Sequence, residues 1–289
     1  MRRAIVVLTV LSIVWGYNWV IMKQATHYAG PFAFAALRVV FGALFLFAVM
    51  LWRRQSLRLV APGPTLLLGL LQTAAFHGLS QWALVSGGAG KTAVLAYTMP
   101  FWLLLLAWPF LHERIRGWQW LAVSLAAAGL LFVLEPWTLH ATPTSELLAV
   151  GSGLAWAASA VVAKKLRSAV QVDLLSLTAW QMLLGAIVLA AAAWMVPERP
   201  VVIGAPLILA VAYAAIVGTG LAWLMWLYVL DALPAGVAGM GSLAVPAIGV
   251  FLSWMLLGEA PQISELLGML LIGAALAFLA VTGLRRNAS

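Results

Sequence analysis

The 289-residue sequence contains no cysteine. Neither a disulfide framework nor a thiolate metal site can form. Charge is almost as scarce: 8% of residues are charged, against roughly 25% in a soluble domain. So few charges cannot cover a water-facing surface of this size. Acidic residues are rarest, eight in all, and none falls confidently at the middle of a long apolar run. Carboxylate-pair and metal-dependent chemistry inside a membrane both need such residues. No catalytic residue, no metal and no cofactor is therefore expected, and an intramembrane enzyme is the disfavoured alternative class.

What the sequence has in abundance is apolar length. Hydrophobic residues make up 65%, in runs such as 66–71, 103–107 and 183–194. A membrane-spanning helix needs about 20 mostly apolar residues. Ten such segments fit, near 4–22, 31–52, 64–85, 92–111, 117–135, 147–165, 174–196, 204–229, 236–257 and 263–283. The first follows Arg2 and Arg3 like a signal peptide, but no small-x-small cleavage site precedes Lys23, so it counts as a span. The fold class is an all-α integral membrane protein with ten transmembrane helices.

The net charge of +8 sits in the loops between spans. It points to the lipid bilayer as partner and not to nucleic acid. With the N terminus inside, Arg2, Arg3, Arg53, Arg54, Arg58, Arg114, Arg116, Lys164, Lys165, Arg167, Arg285 and Arg286 are cytoplasmic. Only Lys23, Lys91 and Arg199 lie outside. Lys and Arg favour cytoplasmic loops. Both termini are therefore expected in the cytoplasm of a bacterium, with the chain multi-pass in its inner membrane.

The two halves repeat each other. Trp15 and Lys23 are spaced like Trp156 and Lys164. Arg38 and Gly42 parallel Gln181 and Gly185. The run from Pro100 to Glu113 matches that from Pro246 to Glu259, and the same offset aligns Thr73 with Thr219. Units of five helices, 1–140 and 141–289, run in opposite directions because five is odd. Such inverted repeats place a binding site near the midplane between the halves. The bland alternative is a duplicated scaffold.

These residues resemble a known family. Trp15-Gly16-Tyr17-Asn18-Trp19 through Lys23, then Ala35-Ala36-Leu37-Arg38, then 100–113 with its copy 246–259, resemble EamA-type proteins of the drug/metabolite transporter superfamily. The resemblance covers essentially the whole chain and implies a ten-helix metabolite exporter. Richness in Trp resembles the YddG-type aromatic amino acid exporters. One departure is that helix 6 has no second Asn18, so substrate contacts need not be symmetric.

Candidate substrate residues follow. Trp15, Asn18 and Trp19 share one face of helix 1 with Met22; an interhelical hydrogen bond is the alternative role for Asn18. Thr73, His77, Ser80 and Gln81 form a polar stripe that lipid would not tolerate. Tyr97, Trp102, Trp156 and Trp223 fall near midspan, where interfacial anchoring does not explain them; simple packing does. Pro100 and Pro246 lie inside helices 4 and 9 and are candidate gating kinks, or static ones. Glu113 and Glu259 are read as structural; Arg38 is read as structural first, with a substrate carboxylate as its alternative partner.

The expected function is a secondary transporter exporting small metabolites by alternating access. Its substrates are amino acids with aromatic or large apolar side chains, facilitated without ion coupling, from a monomer. His77 keeps a proton-coupled exporter of other metabolites or drugs as the alternative.

Overall fold

The computed structural model describes residues 2–112, 117, 119–134, 144–232 and 244–287. Among them there are ten helical spans and no strand. Helix α1 is Arg2–Ala25, α2 Pro31–Trp52, α5 Gln119–Leu134, α6 Thr144–Ala169, α7 Leu174–Met195, α9 Ala244–Leu257 and α10 Ile263–Asn287. The other three are composite. Helix α3 (62–86) and helix α8 (205–232) each contain a π-helical stretch, Gly69–Ala75 and Tyr213–Leu221. Helix α4 breaks at Tyr97–Thr98 into Ala89–Ala96 and Met99–Leu111.

Six spans are long and apolar enough to cross a membrane, and three further apolar helices are shorter. Their starts follow local chemistry. Pro31 opens α2 after an extended Gly30, because proline's missing N–H costs nothing in a first turn. Asp173 caps α7 by accepting from the Ser176 N–H at 2.8 Å, the usual role of an N-cap carboxylate.

The packing obeys a twofold rule. Helix α1 packs on α9 as α6 packs on α4; α3 packs on α7 as α8 packs on α2; α2 meets α7 and α5 meets α10 across the axis. Exchanging each helix for the one five places on leaves this scheme unchanged. Two units of five helices are thus related by inversion, as the matched motifs predict.

The π-helical stretches show the rule at atomic scale. Thr73 sits in one and Thr219 in the other, and both are buried. Each faces a glycine of the opposite unit. A Cβ on Gly42 would lie 2.8 Å from the Thr219 methyl, and one on Gly185 would overlap Thr73. A wide turn bulges, and only glycine leaves room for the bulge.

The ten helices give the bundle two ends, here the Lys23 end and the Arg53 end. The Lys23 end is tied together. The Lys23 ammonium donates to the Leu84 and Gly87 carbonyls, both at 2.8 Å, closing the last turn of α3. Glu198 accepts from the Phe32 and Ala33 N–H groups at the start of α2. Glu259 accepts from the Ala89 N–H at 2.7 Å and from Ser253 Oγ. Lys91 bridges Glu146 at 3.0 Å and Glu265 at 2.7 Å. At the Arg53 end the second half of α4 packs chiefly against α6 alone.

Candidate substrate site

The break in α4 organises the centre of the bundle. Tyr97 and Thr98 form a turn, so Pro100 falls in the first turn of a new helical piece, where it is tolerated. The expectation of a kink inside a continuous helix is thus sharpened to a break three residues earlier. Pro109, not singled out from the sequence, is the proline inside that second piece. Pro246 is buried within α9. Helix α6 comes close to the break because it has glycine there: a Cβ on Gly153 would lie 2.7 Å from the Ala96 carbonyl oxygen.

That approach carries Trp156, one turn further along α6, onto Tyr97. Their rings meet edge to face at 5.5 Å. Phe76 of α3 meets Trp156 at 5.2 Å and His77 at 5.0 Å. Trp15 and Trp19 belong to the same apolar cluster, with Met22 and Tyr97 at its core. Trp15 also donates from Nε1 to the Gly218 carbonyl in the wide turn of α8. Trp102 donates to Thr98 Oγ1 at 3.1 Å and so braces the break. Trp223 stands apart: it packs on the α2–α7 cluster with Met182 and Leu189. Trp180 is also removed from the centre, its Nε1 donating to the Leu57 carbonyl at the Arg53 end.

The polar residues are mostly engaged by backbone. His77 Nδ1 lies 3.1 Å from the Thr73 oxygen and 3.2 Å from the Gln72 oxygen. Two carbonyls can only accept, so Nδ1 carries the proton and Nε2 is left as an acceptor. Thr219 Oγ1 does the equivalent in α8, donating to the Ala214 carbonyl at 2.7 Å. Ser80 bonds back to Phe76 O within its own helix. Gln81 crosses to α1 and donates to the Met22 carbonyl at 2.9 Å.

Around Met22 the arrangement changes. Asn18 Nδ2 donates to the Met22 sulfur at 3.1 Å, and Arg38 Nη1 to the same sulfur at 2.9 Å. Arg38 Nη2 reaches Thr219 Oγ1 at 3.3 Å. Asn18 Oδ1, Gln81 Oε1 and Arg38 Nε are buried with no hydrogen-bond partner. Glu259 caps α4 at the Lys23 end, far from this cluster in the chain. Glu113 lies outside the described residues.

Sequence reasoning missed Phe76 and both π-helical stretches, and it placed Met22 on the helix 1 face without foreseeing its sulfur as a shared acceptor. Phe76 reads as one more apolar residue. Its signal is its place beside His77 on α3, opposite a tryptophan of the partner unit.

The EamA-like transporter family model matches the chain twice, over residues 2–135 and 143–281. The chain belongs to the EamA-like transporter family. Among its relatives, the transporter YoaV of Bacillus subtilis is 27% identical, with 91% of each chain covered. A probable amino-acid metabolite efflux pump of Escherichia coli is 27% identical over 98% of this chain and 96% of that one. A riboflavin transporter of Rhizobium johnstonii is 30% identical, covering 93% and 85%. A solved crystal structure superposes on this transporter with a TM-score of 0.67 at 20% identity, covering 96% and 98% of the two chains, which bears out the fold.

Proposed function

We propose that this transporter exports small metabolites, and that its substrates are amino acids with aromatic or large apolar side chains. The observation that carries the reading is the meeting of Phe76, Tyr97 and Trp156 at the α4 break. Ring–ring contacts add roughly 0.5–1.5 kcal/mol per pair beyond area burial, and a substrate ring entering this group replaces one protein ring contact by another. The break beside it is where a helix can bend while its ends stay packed. The amino-acid metabolite efflux pumps among the relatives support the same class.

The proposed cycle is alternating access in the bacterial inner membrane, by a monomer, with the two five-helix units dividing near residue 140. With the N terminus inside, the Lys23 end faces outward and the Arg53 end faces the cytoplasm. The many ties at the Lys23 end then correspond to a carrier closed to the outside. In this reading transport needs no ion, since proton and sodium coupling commonly use an intramembrane carboxylate; the Nδ1 proton of His77 is held by two backbone carbonyls, and Nε2 is the ring nitrogen a coupled proton would occupy.

Purified protein in liposomes tests this by counterflow of labelled phenylalanine, tryptophan and leucine. Trp156→Ala is expected to lower phenylalanine exchange about tenfold while the protein stays monodisperse. Exchange of organic cations alone by the parent would overturn the substrate class.

A further inference from the structure

We infer that Arg38, Asn18 and Gln81 form a binding site for the zwitterionic head group of an α-amino acid, with the Met22 sulfur standing in its place. The inference rests on the reading of the chain as an amino acid carrier and deepens it.

The case begins with Arg38. It is 4% exposed, about 10 Å along α2 from Pro31 at 1.5 Å per residue. A buried guanidinium is normally paired with a carboxylate, because an unpaired buried charge is costly. Among the described residues both ion pairs belong to Lys91.

Arg38 makes do with poor partners instead. Nη1 donates to a thioether, a weak acceptor. Nη2 reaches a threonine hydroxyl whose own proton is already given to Ala214 O. Nε has nothing. An intramembrane charge kept in such surroundings marks a functional site.

The second observation is independent of the charge. The neighbouring orphans are acceptors: Asn18 Oδ1 and Gln81 Oε1. The amide nitrogens of both residues are occupied, by Met22 Sδ and Met22 O, so their oxygens are left over. One unfilled cationic donor beside two unfilled acceptors is the complement of a carboxylate beside an ammonium. A carboxylate alone would leave the two oxygens unpaired, and an amine alone would leave Arg38 so. The three side chains converge on one residue, since Asn18 and Arg38 touch the Met22 sulfur and Gln81 reaches the Met22 carbonyl. Methionine is flexible and can swing aside. Met22 and Trp19 also belong to the cluster holding Tyr97, with Phe76 and Trp156 packed on it, so a head group here directs its side chain toward the three rings. Arg38, read from the sequence as structural first and as a carboxylate partner second, becomes the carboxylate ligand.

Counterflow of labelled phenylalanine tests the site through competitors. Phenylalaninamide lacks the carboxylate, and 3-phenylpropionate lacks the ammonium. Each is expected to compete about tenfold or more weakly than phenylalanine, in line with hydrogen bonds to charged groups. In Arg38→Gln the amide and the amino acid should become equal. Asn18→Asp covers the case in which that variant fails to fold: it places a carboxylate beside Arg38, so it should raise the melting temperature and abolish phenylalanine exchange together. Equal competition by the amide in the parent would overturn the head-group site and leave the amino acid reading intact. If the parent exchanges no amino acid, the transport reading fails; the site then stands or falls on Asn18→Asp, whose unchanged or lowered melting temperature overturns it.

Discussion

The two pieces of α4 are continuous in sequence and unlike in surroundings. From Ala89 to Ala96 every residue but Lys91 is buried, held by α9, α6, α1 and α3. From Met99 to Leu111 only Phe101 and Ala107 are buried, and Trp108 and Phe110 are exposed. The composition of the second piece is the more apolar, yet it is the less buried. Its residues suit a lipid-facing or moving surface, while Ala89–Ala96 is built of small side chains that allow four helices to close on it. The comparison shows Ala89–Ala96 enclosed at the end where Lys23, Glu198 and Glu259 reach backbone groups, and Met99–Leu111, among the described residues, resting mainly on α6.

The largest effect should come from attacking the α3–α7 contact between the two units. Gly185→Leu drives a side chain into Thr73 and the Gly69 carbonyl, a penalty of several kcal/mol by comparison with overpacked cores. The protein should lose its monodisperse peak in detergent. Gly273→Leu has nothing within 4 Å of its new Cβ and should behave as the parent does. Loss of both proteins would mean the sites are not distinguished by packing.

Next comes the fastening of the Lys23 end. Glu259→Gln removes the charge that accepts from Ala89 N–H and Ser253; such bonds contribute roughly 1.5–3 kcal/mol. A single cysteine at Ala93, fully buried here, should then react with a maleimide about tenfold faster than in the parent background. The native absence of cysteine makes the readout clean. The smallest effect is expected from Pro100→Ala. Because Pro100 already sits in a first turn, melting should move by less than about 1 kcal/mol, with transport slowed more than binding. Lost binding at an unchanged rate would contradict a role for the break in motion.

The ten helices and their inverted pairing were legible because hydropathy and recurring motifs at a nearly constant offset both register in sequence. The polar stripe on α3 was legible as a stripe, but not in its uses. Ser80 and His77 serve their own helix, and only Gln81 crosses to α1. The reason is that a π-helical stretch changes which carbonyls need donors, and no hydropathy pattern encodes that change of register. The aromatic residues divided similarly: Trp15, Trp19, Tyr97 and Trp156 share one cluster, whereas Trp223 has the same depth but another face of the bundle. Arg38 was visible as a charge within a span. Its lack of a carboxylate became visible only once the neighbouring helices were in place.

The most direct test of the fastened and unfastened ends is a pair of distance distributions from spin labels on single-cysteine pairs in liposomes. One pair joins Gln24 after the Lys23 turn to Ala260 beyond α9; the other joins Ser56 to His112 at the end of α4. All four positions are exposed or at the surface. The account predicts a narrow distribution for the first pair without substrate, and a broad one for the second that narrows or shifts when phenylalanine is added. A broad first pair with a narrow, substrate-insensitive second pair would contradict it.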